Sequence, residues 1–159
     1  MGIRFTSFQR RFLFALILLS WVSGITFFVL NTWVTVEGEF GPQKHPQQFN
    51  VLKAHGAAAF LQLMVFGYLL ADHVPKGWRV TRMRGIGLTL VIAQSLLVVS
   101  AYGLYYMGDE DRRQIVAYVH YAVGFSLPFL LIAHLIQGRW GRRWRKRPAR
   151  VESARSSER

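Results

Sequence analysis

Four long uncharged stretches divide the chain, and the charged residues cluster between them. Read from charge to charge, the uncharged stretches are 18 to 25 residues long and cover residues 12–36, 54–71, 85–108 and 114–138. A helix needs about 20 residues to cross a hydrocarbon core of about 30 Å, and a chain in lipid must satisfy its own backbone hydrogen bonds. The pattern therefore predicts an all-α fold within residues 1–140. We expect a four-helix transmembrane bundle with spans at about 12–35, 51–72, 85–107 and 114–138.

An alternative interpretation of the first stretch is a secretory signal peptide, since Arg4, Arg10 and Arg11 precede its apolar core. A signal peptide has an apolar core of about 7–15 residues and a cleavage site with small residues. The stretch here is longer, and no A-x-A-like site follows it. We therefore interpret it as a span. As a signal peptide it would leave three spans and a different topology.

The charges at the ends of the spans fall into two groups. Residues 1–11 carry a net charge of +3, the loop 72–84 carries +3 and the tail 139–159 carries +7. The loops 31–53 and 107–113 carry 0 and −1. Because basic flanks stay on the cytoplasmic side of a membrane, we expect an up-and-down bundle with both termini inside.

The basic tail 141–159 accounts for much of the sequence pI of about 11.1. The segment "GRWGRRWRKRPAR" overlaps the end of the last span and continues past it, where anionic lipid headgroups attract clustered Lys and Arg. No aromatic and basic platform of the kind that binds RNA or DNA accompanies it. We predict a cytoplasmic tail that contacts anionic lipid, no nucleic-acid partner, and disorder over the last nine residues.

Four of the five histidines lie in or at the ends of the second and fourth spans: His55, His73, His120 and His134. An imidazole in lipid is costly and faces the bundle interior, which makes it a candidate for a functional site. His73 follows His55 by 18 residues, and His134 follows His120 by 14. At about 100° per residue, each spacing is close to a whole number of turns, so the two histidines of each span lie on one helical stripe. The pattern predicts two bis-histidine haems between parallel helices. His55 and His120 would bind the outer haem iron, and His73 and His134 the inner haem iron.

The axial spacings of these two stripes differ. At about 1.5 Å per residue, the histidines are about 21 Å apart on the fourth span and about 27 Å apart on the second. Tilt of the second span, together with the reach of a flexible imidazole, would absorb the difference of about 6 Å. We expect His73, which follows Asp72, to lie at the interface and to reach inward.

Each histidine also has a structural interpretation. A membrane histidine can be hydrogen-bonded to a serine or a carbonyl, and His73 beside Asp72 can be an ordinary interfacial residue. His45, beside Pro46 in the outer loop, is expected to face solvent. Two matched pairs favour ligation over these alternatives. The chain has no cysteine, which excludes iron–sulfur clusters, disulfides and the attachment of a c-type haem.

The two halves of the chain have a similar order of features. The first half reads "LLSWVSGITFF" and then "KAHG…LADHVPKGW", and the second reads "LLVVSAYGLYY" and then "YVHYAVG…LIAHLIQGRW". Each half has a leading helix with a Ser and a Gly in its outer half, followed by a returning helix with a histidine near each end. This order predicts a duplicated hairpin. The alternative is that two membrane hairpins share Leu, Ser and Trp by composition alone.

With these motifs, residues 12–140 resemble the bacterial four-helix di-haem membrane cytochromes b, which are related to cytochrome b561 and to the cytochrome b subunits of hydrogenases and formate dehydrogenases. The second half is the closer match: "SAYGLYY" resembles the family's S-G-x-x-x-Y/F hairpin, with Ala101 in place of Gly, and "YVHYAVGFSLPFLLIAHL" resembles its H-x-x-x-G…H helix. The chain departs from the family in two ways. Many such cytochromes take ligands from other helices, and the interval from His55 to His73 is longer than usual.

The resemblance implies haem b, with two groups expected, or one if a single pair binds. It also implies a multi-pass protein of the bacterial inner membrane that transfers single electrons and exchanges them with the quinone pool or a periplasmic redox protein. The chain would act alone or as a subunit of a larger redox complex.

Three functions fit these observations to different degrees. Two axial histidines leave no open coordination position, which suits electron transfer. The second function is a haem-edge oxidoreductase acting on superoxide or ferric iron. The third is a haem-free transporter or assembly factor. It ranks last because transporters place charge or broken helices in mid-membrane, and the candidates there are only Gln62, Gln94, Ser95 and Pro128.

Overall fold

The computed structural model describes residues 6–80 and 84–146, which form four long helical spans joined by short connections. The first span is the helix Ser7–Thr32 and the third is the helix Gly85–Tyr106. The second span combines the helix Gln47–Tyr68, the π-helical segment Leu69–His73 and the helix Val74–Val80, and the fourth belongs to the helix Glu110–Lys146. All four are long and apolar enough to cross a membrane. The all-α prediction is confirmed, and four such helices are the architecture of a multi-pass membrane protein.

Local capping determines where the first helix begins. The Gln9 amide N–H donates to the Thr6 hydroxyl at 3.2 Å, and the Thr6 N–H donates to the Gln9 side chain at 3.0 Å. This reciprocal pair is a capping box, which satisfies two donors that a helix start leaves without partners. The helix therefore begins before the uncharged stretch does, and it includes Arg10 and Arg11.

The last helix extends beyond the predicted span at both ends. The Asp109 carboxylate accepts a hydrogen bond from the Arg112 N–H at 2.9 Å, and the acidic residues Glu110 and Asp111 occupy the first turn. Negative charge is favourable there because a helix N-terminus carries partial positive charge. At the other end the helix continues through Lys146 into the predicted tail. The last nine residues, for which we predicted disorder, lie outside the described residues.

A small β-hairpin, which the sequence pattern did not predict, connects the first and second spans. Thr35–Gly38 pairs antiparallel with Gly41–Lys44. Gly41 has a φ of 104°, a conformation that side chains with a Cβ rarely adopt. Each strand has only four residues, and the second is almost entirely polar, so the hydrophobic period that identifies longer strands is lacking.

An aromatic cluster joins the first span to the fourth near the end of the bundle that carries the β-hairpin. The Phe28 ring packs edge-on against Tyr121, with ring centres 4.9 Å apart, and against Phe125 at 5.4 Å. Trp33 packs on the same ring at 5.2 Å. Such pairs contribute about 0.5–1.5 kcal/mol beyond the burial of their area. This contact closes the bundle between its first and last helices.

The helices pack through small and polar residues. Backbone contacts are extensive between the first and second spans and between the third and fourth, and smaller between the first and fourth. Among the described residues, those that are buried are Leu16, Ala58, Ala93, Leu127, Ser23, Gln62 and Ser100. Large apolar side chains such as Phe60 and Phe129 are exposed instead, as expected for surfaces that face lipid. Small residues let helices approach closely in lipid, where the hydrophobic effect does not drive helices together.

One buried hydrogen bond links the second span to the third. The Gln62 amide donates to the Gln94 side-chain oxygen at 2.9 Å, and Gln62 is only 7% exposed. An amide without a partner in an apolar surrounding costs about 2–7 kcal/mol. The pair is therefore a specific polar contact between spans that otherwise share little backbone contact.

We predict that Gln62→Leu and Gln94→Leu are coupled in stability. Each single variant leaves the other amide without its partner, whereas the double variant removes both. The coupling free energy should be about 0.6–1.7 kcal/mol, between the average and the maximum of such bonds in a membrane protein. Reversible unfolding in mixed detergent micelles measures it. The control pairs Gln62→Leu with Ser95→Ala, an exposed neighbour of Gln94, and should be additive. Additivity in both pairs would contradict the prediction.

Candidate functional site

The four histidines of the spans form two facing pairs. The ring centres of His55 and His120 are 6.3 Å apart, with an angle of 86° between their planes. The ring centres of His73 and His134 are also 6.3 Å apart, at an angle of 70°. Each pair takes one imidazole from the second span and one from the fourth. The structure thus brings together the pairs that the sequence pattern assigns to a shared site, while His45 lies in the connection before the second span.

The separation of the rings matches that of two imidazoles on opposite sides of one metal ion. Imidazole nitrogens bind a first-row metal at about 2.0–2.1 Å and lie about 1.1 Å from the ring centre, so two imidazoles bound on opposite sides of the metal have centres about 6.2–6.4 Å apart. Both pairs have this spacing. Within the ranges 6–80 and 84–146, no group of three or more His, Cys, Asp or Glu side chains gathers around a point. Each site therefore offers two protein ligands.

Hydrogen bonds from the first span orient His55. Its Nδ1 lies 3.0 Å from the Ser20 carbonyl oxygen and 3.2 Å from the Ser23 hydroxyl. The Ser23 hydroxyl itself donates to the Leu19 carbonyl at 2.7 Å. Because a carbonyl oxygen only accepts, Nδ1 carries the proton and donates. Nε2 is then the nitrogen with a free lone pair.

The third span orients His120 in the same way. Nδ1 of His120 lies 2.9 Å from the Ser100 hydroxyl. Ser100 donates to the Leu96 carbonyl at 2.6 Å, so its proton is already committed and Nδ1–H of His120 donates to it. The structural interpretation of a histidine bonded to a serine is therefore compatible with ligation, since that bond uses Nδ1 alone.

The inner pair has different surroundings. The His134 ring lies against Gly87 of the third span, where an added Cβ would be 3.5 Å from Cε1 and 3.8 Å from Nδ1. Nδ1 of His134 is buried and has no hydrogen-bond partner in the described part of the chain. A glycine thus occupies the position beside His134 that a serine occupies beside His120.

The π-helical segment Leu69–His73 ends at a residue of the inner pair. The sequence prediction treated the second span as a regular α-helix that tilts to bring His73 level with His134. A π-helical turn uses more residues per turn than an α-helix, so it shortens the rise between His55 and His73 and rotates the residues after it. The helix is therefore not regular over this interval, and His73 still faces His134. Asp72, within the segment, forms an ion pair with Lys76.

Three other glycines of the spans have separate roles. Gly24 lies directly against His55, and an added Cβ would be 3.0 Å from Cε1 and 3.3 Å from Nδ1 of its imidazole. Gly103 and Gly124 instead face aliphatic side chains of the neighbouring span. Only the first of these three glycines therefore shapes a histidine site, and the other two serve helix packing.

Sequence reasoning missed several residues that act on the histidines. Ser23 and Ser100 appeared in it only as features of the repeated hairpin, although a serine on the preceding helix at the depth of a histidine is the signal for a hydrogen bond to Nδ1. The carbonyls of the preceding turn carry no signal in residue type. Gly87 also carried no signal for a contact with a histidine, because a glycine at the start of a membrane helix is typical of ordinary packing.

We predict that Gly24→Ala destabilises the fold, because its methyl group would lie within 3.0 Å of the His55 ring and the ring or helix must shift. Overpacking of this kind costs about 1–3 kcal/mol. The control is Gly67→Ala in the second span, where an added Cβ meets nothing within 4 Å; replacing a helical glycine there should stabilise by about 0.5–1 kcal/mol. Unfolding in mixed micelles compares the two variants. Equal effects would show that Gly24 has no special contact.

Comparison with known proteins yields no relative. No family model matches the chain, and neither a curated protein nor a solved structure matches it. The chemistry of the site is therefore inferred from the four histidines, the hydrogen bonds that orient two of them, and the number of ligands that each pair offers.

Proposed function

We propose that this chain is a b-type di-haem membrane protein that passes single electrons across the bacterial inner membrane. The donor and acceptor would be the quinone pool or a periplasmic redox protein on one side and a second carrier on the other. The observation that supports the proposal is the pair of imidazole contacts, both with ring centres 6.3 Å apart. Two such pairs along the same two helices are what a bundle with two stacked haems requires.

The number of ligands favours haem over a bare metal ion. A structural zinc site takes four protein ligands and a catalytic one takes three, whereas each pair here provides two. Haem contributes the four nitrogens of its own ring, so the protein needs to add only axial ligands. Haem without a covalent link also agrees with a chain that has no cysteine.

Each residue of the sites has a defined task in this proposal. His55 and His120 hold the outer haem, and His73 and His134 hold the inner one, each through a ring nitrogen. A bound haem supplies a centre that accepts and releases one electron. Ser23 and Ser100 fix the tautomer of the outer histidines, as partners of metal-binding histidines generally do.

The spans provide an environment suited to electron transfer and not to ligand exchange. The two histidines of each pair would leave no open coordination position on a bound haem iron. Along the fourth span, His120 and His134 are separated by about 21 Å at about 1.5 Å per residue, compared with a hydrocarbon core of about 30 Å. The two sites then lie toward opposite faces of the membrane, within reach of carriers on each side.

The orientation and origin of the bundle belong to the same proposal. The basic ends at residues 1–11, 72–84 and 139–159 favour a bundle with both termini in the cytoplasm. The matching hydrogen bonds of Ser23 with His55 and of Ser100 with His120 support a duplicated hairpin. The resemblance to the four-helix cytochromes b points to the same function.

We predict two haems per wild-type chain and one in any variant that removes a single histidine of the spans. His55→Ala and His120→Ala should lose the same haem, and His73→Ala and His134→Ala the other. The haem-to-protein ratio, measured from reduced-minus-oxidised spectra of purified protein, tests this. His45→Ala is the control: its Nδ1 accepts a hydrogen bond from the Gln47 N–H in the outer connection, and it should retain both haems. A colourless wild-type preparation would exclude the proposal.

We also predict that carbon monoxide leaves the spectrum of the reduced wild-type protein unchanged, because both axial positions of each haem are filled by histidine. His120→Gly should gain a carbon monoxide-dependent change in its Soret band, provided that it retains the outer haem. A change in the wild type would instead favour the alternative function, a haem-edge oxidoreductase acting on superoxide or ferric iron.

A further inference from the structure

The Gln62–Gln94 hydrogen bond lies between two helical hairpins, one formed by the first and second spans and the other by the third and fourth. The Gln62 amide donates to the Gln94 side-chain oxygen at 2.9 Å, and Gln62 is only 7% exposed. Backbone contact is extensive within each helical hairpin and small between the two. The glutamine pair is therefore a directional contact across a boundary that has little backbone contact.

Gln62 lies between the two histidines of its own span. It follows His55 by seven residues and precedes His73 by eleven. At about 1.5 Å per residue, these intervals correspond to about 10 Å and about 16 Å of a regular α-helix, and the π-helical segment shortens the second of them. The hydrogen bond is thus made at a level between the two histidine pairs.

Gln94 has a matching position on the third span. It precedes Ser100 by six residues and follows Gly87 by seven. Ser100 is hydrogen-bonded to His120, and Gly87 lies beside His134. Gln94 therefore lies halfway between the two places where its helix contacts the histidine pairs.

The relative height of the two helical hairpins affects both histidine pairs, because each pair takes one imidazole from each hairpin. A slip of one hairpin along the other by one residue, about 1.5 Å, would displace both pairs in the same direction, whereas a metal site needs its ligands held within about 0.5 Å. Apolar helix surfaces in lipid are held by van der Waals packing, which has little directionality. A hydrogen bond between nitrogen and oxygen has a narrow range of about 2.7–3.2 Å.

The aromatic cluster of Phe28, Tyr121 and Phe125 joins the same two helical hairpins at the end that carries the β-hairpin. Aromatic pairs accept ring centres about 4.5–7 Å apart, so this contact determines which helices meet but leaves their height less restricted. Buried polar side chains that select one register at a cost in stability are well attested in coiled coils. The same physical argument applies to a glutamine pair in the middle of this bundle.

We propose that Gln62 and Gln94 are positioning residues whose hydrogen bond sets the height at which the two helical hairpins meet, and thereby aligns both histidine pairs at once. The proposal rests on the di-haem function proposed above. One contact near the middle of the bundle then keeps two metal sites near its ends in register. Loss of that contact would misalign the outer and inner sites together.

The distance between two labels placed along the bundle axis tests the alignment. The chain has no cysteine, so Phe8→Cys and Ile115→Cys provide two unique label sites, one on each helical hairpin and at opposite ends of the bundle. Both side chains are exposed. Gadolinium labels on the reduced protein, in which low-spin ferrous haem is diamagnetic, should give one narrow distance distribution in double electron–electron resonance.

The double variant Gln62→Met/Gln94→Met removes both amides and keeps unbranched, flexible side chains. Replacing both partners of a buried hydrogen bond by apolar groups of similar shape is nearly neutral for stability, so this variant should unfold like the wild type. Its label distance should shift or spread by at least one residue of helical rise, about 1.5 Å. The electron paramagnetic resonance signals of both oxidised haems should broaden together, because one slip moves both pairs.

Matched variants separate alignment from stability. Leu16 is a buried residue of the first span, so Leu16→Ala leaves a cavity and should lower stability while keeping the wild-type label distance. Ser95→Ala, an exposed neighbour of Gln94, should change neither property. Gln62→Leu/Gln94→Leu repeats the test with a branched side chain and should give the same change in label distance.

Three results would overturn the proposal: an unchanged label distance in both double variants, broadening of one haem signal alone, or a double variant that fails to fold. The last counts against it because a contact that only sets alignment is not required for folding. A colourless wild-type protein would instead refute the di-haem function. The label distances need no haem and would still report the alignment, so the two failures can be distinguished.

Discussion

A polar group without a partner is costly in a membrane interior, and much of the arrangement of this protein follows from that constraint. Each imidazole brings two nitrogens into a region without bulk water. In the half of the bundle nearer the β-hairpin, one nitrogen of each histidine is hydrogen-bonded to the helix that precedes it in the chain. His55 bonds to Ser23 and the Ser20 carbonyl, and His120 bonds to Ser100. The tether holds the ring in a defined orientation, in which its remaining nitrogen is available to a ligand.

The same constraint gives the helices different tasks. The first and third spans have no histidine and supply hydroxyls, carbonyls and glycines, whereas the second and fourth supply the imidazoles. Extensive packing occurs within each hairpin, and the two hairpins are joined by the aromatic contacts of Phe28 and by the Gln62–Gln94 hydrogen bond. The hairpins thus act as supports, each holding one member of each facing pair. This is a natural arrangement for a cofactor held between two units.

Much of the fold could be predicted from the sequence because lipid imposes a simple rule on composition. Long stretches without charge are visible by inspection, and four of them became four helices. The contacts between histidines also followed from the sequence, since matching positions on two helices bring His55 to His120 and His73 to His134. The helix ends could not be predicted as well, because capping by Thr6 or Asp109 extends a helix into charged sequence.

Other features could not be predicted from the sequence, for physical reasons. The β-hairpin consists of two four-residue strands with few apolar residues, and its turn depends on the positive φ of Gly41. The role of Gly87 depends on which side chain lies opposite it, and that follows only from the packed structure. The identity of the cofactor belongs to a third category: residue type and spacing suggest it, and only a measurement on the protein can establish it.

The wide turn at Leu69–His73 has a consequence for recognising proteins of this kind. The two returning helices reach the same two levels of the bundle although one uses four more residues than the other to do so. The change of winding takes up part of this difference, and the paired histidines still face each other. Search patterns that require a fixed number of residues between paired membrane histidines would overlook such chains. Patterns based on the height of each histidine along the bundle axis would find them.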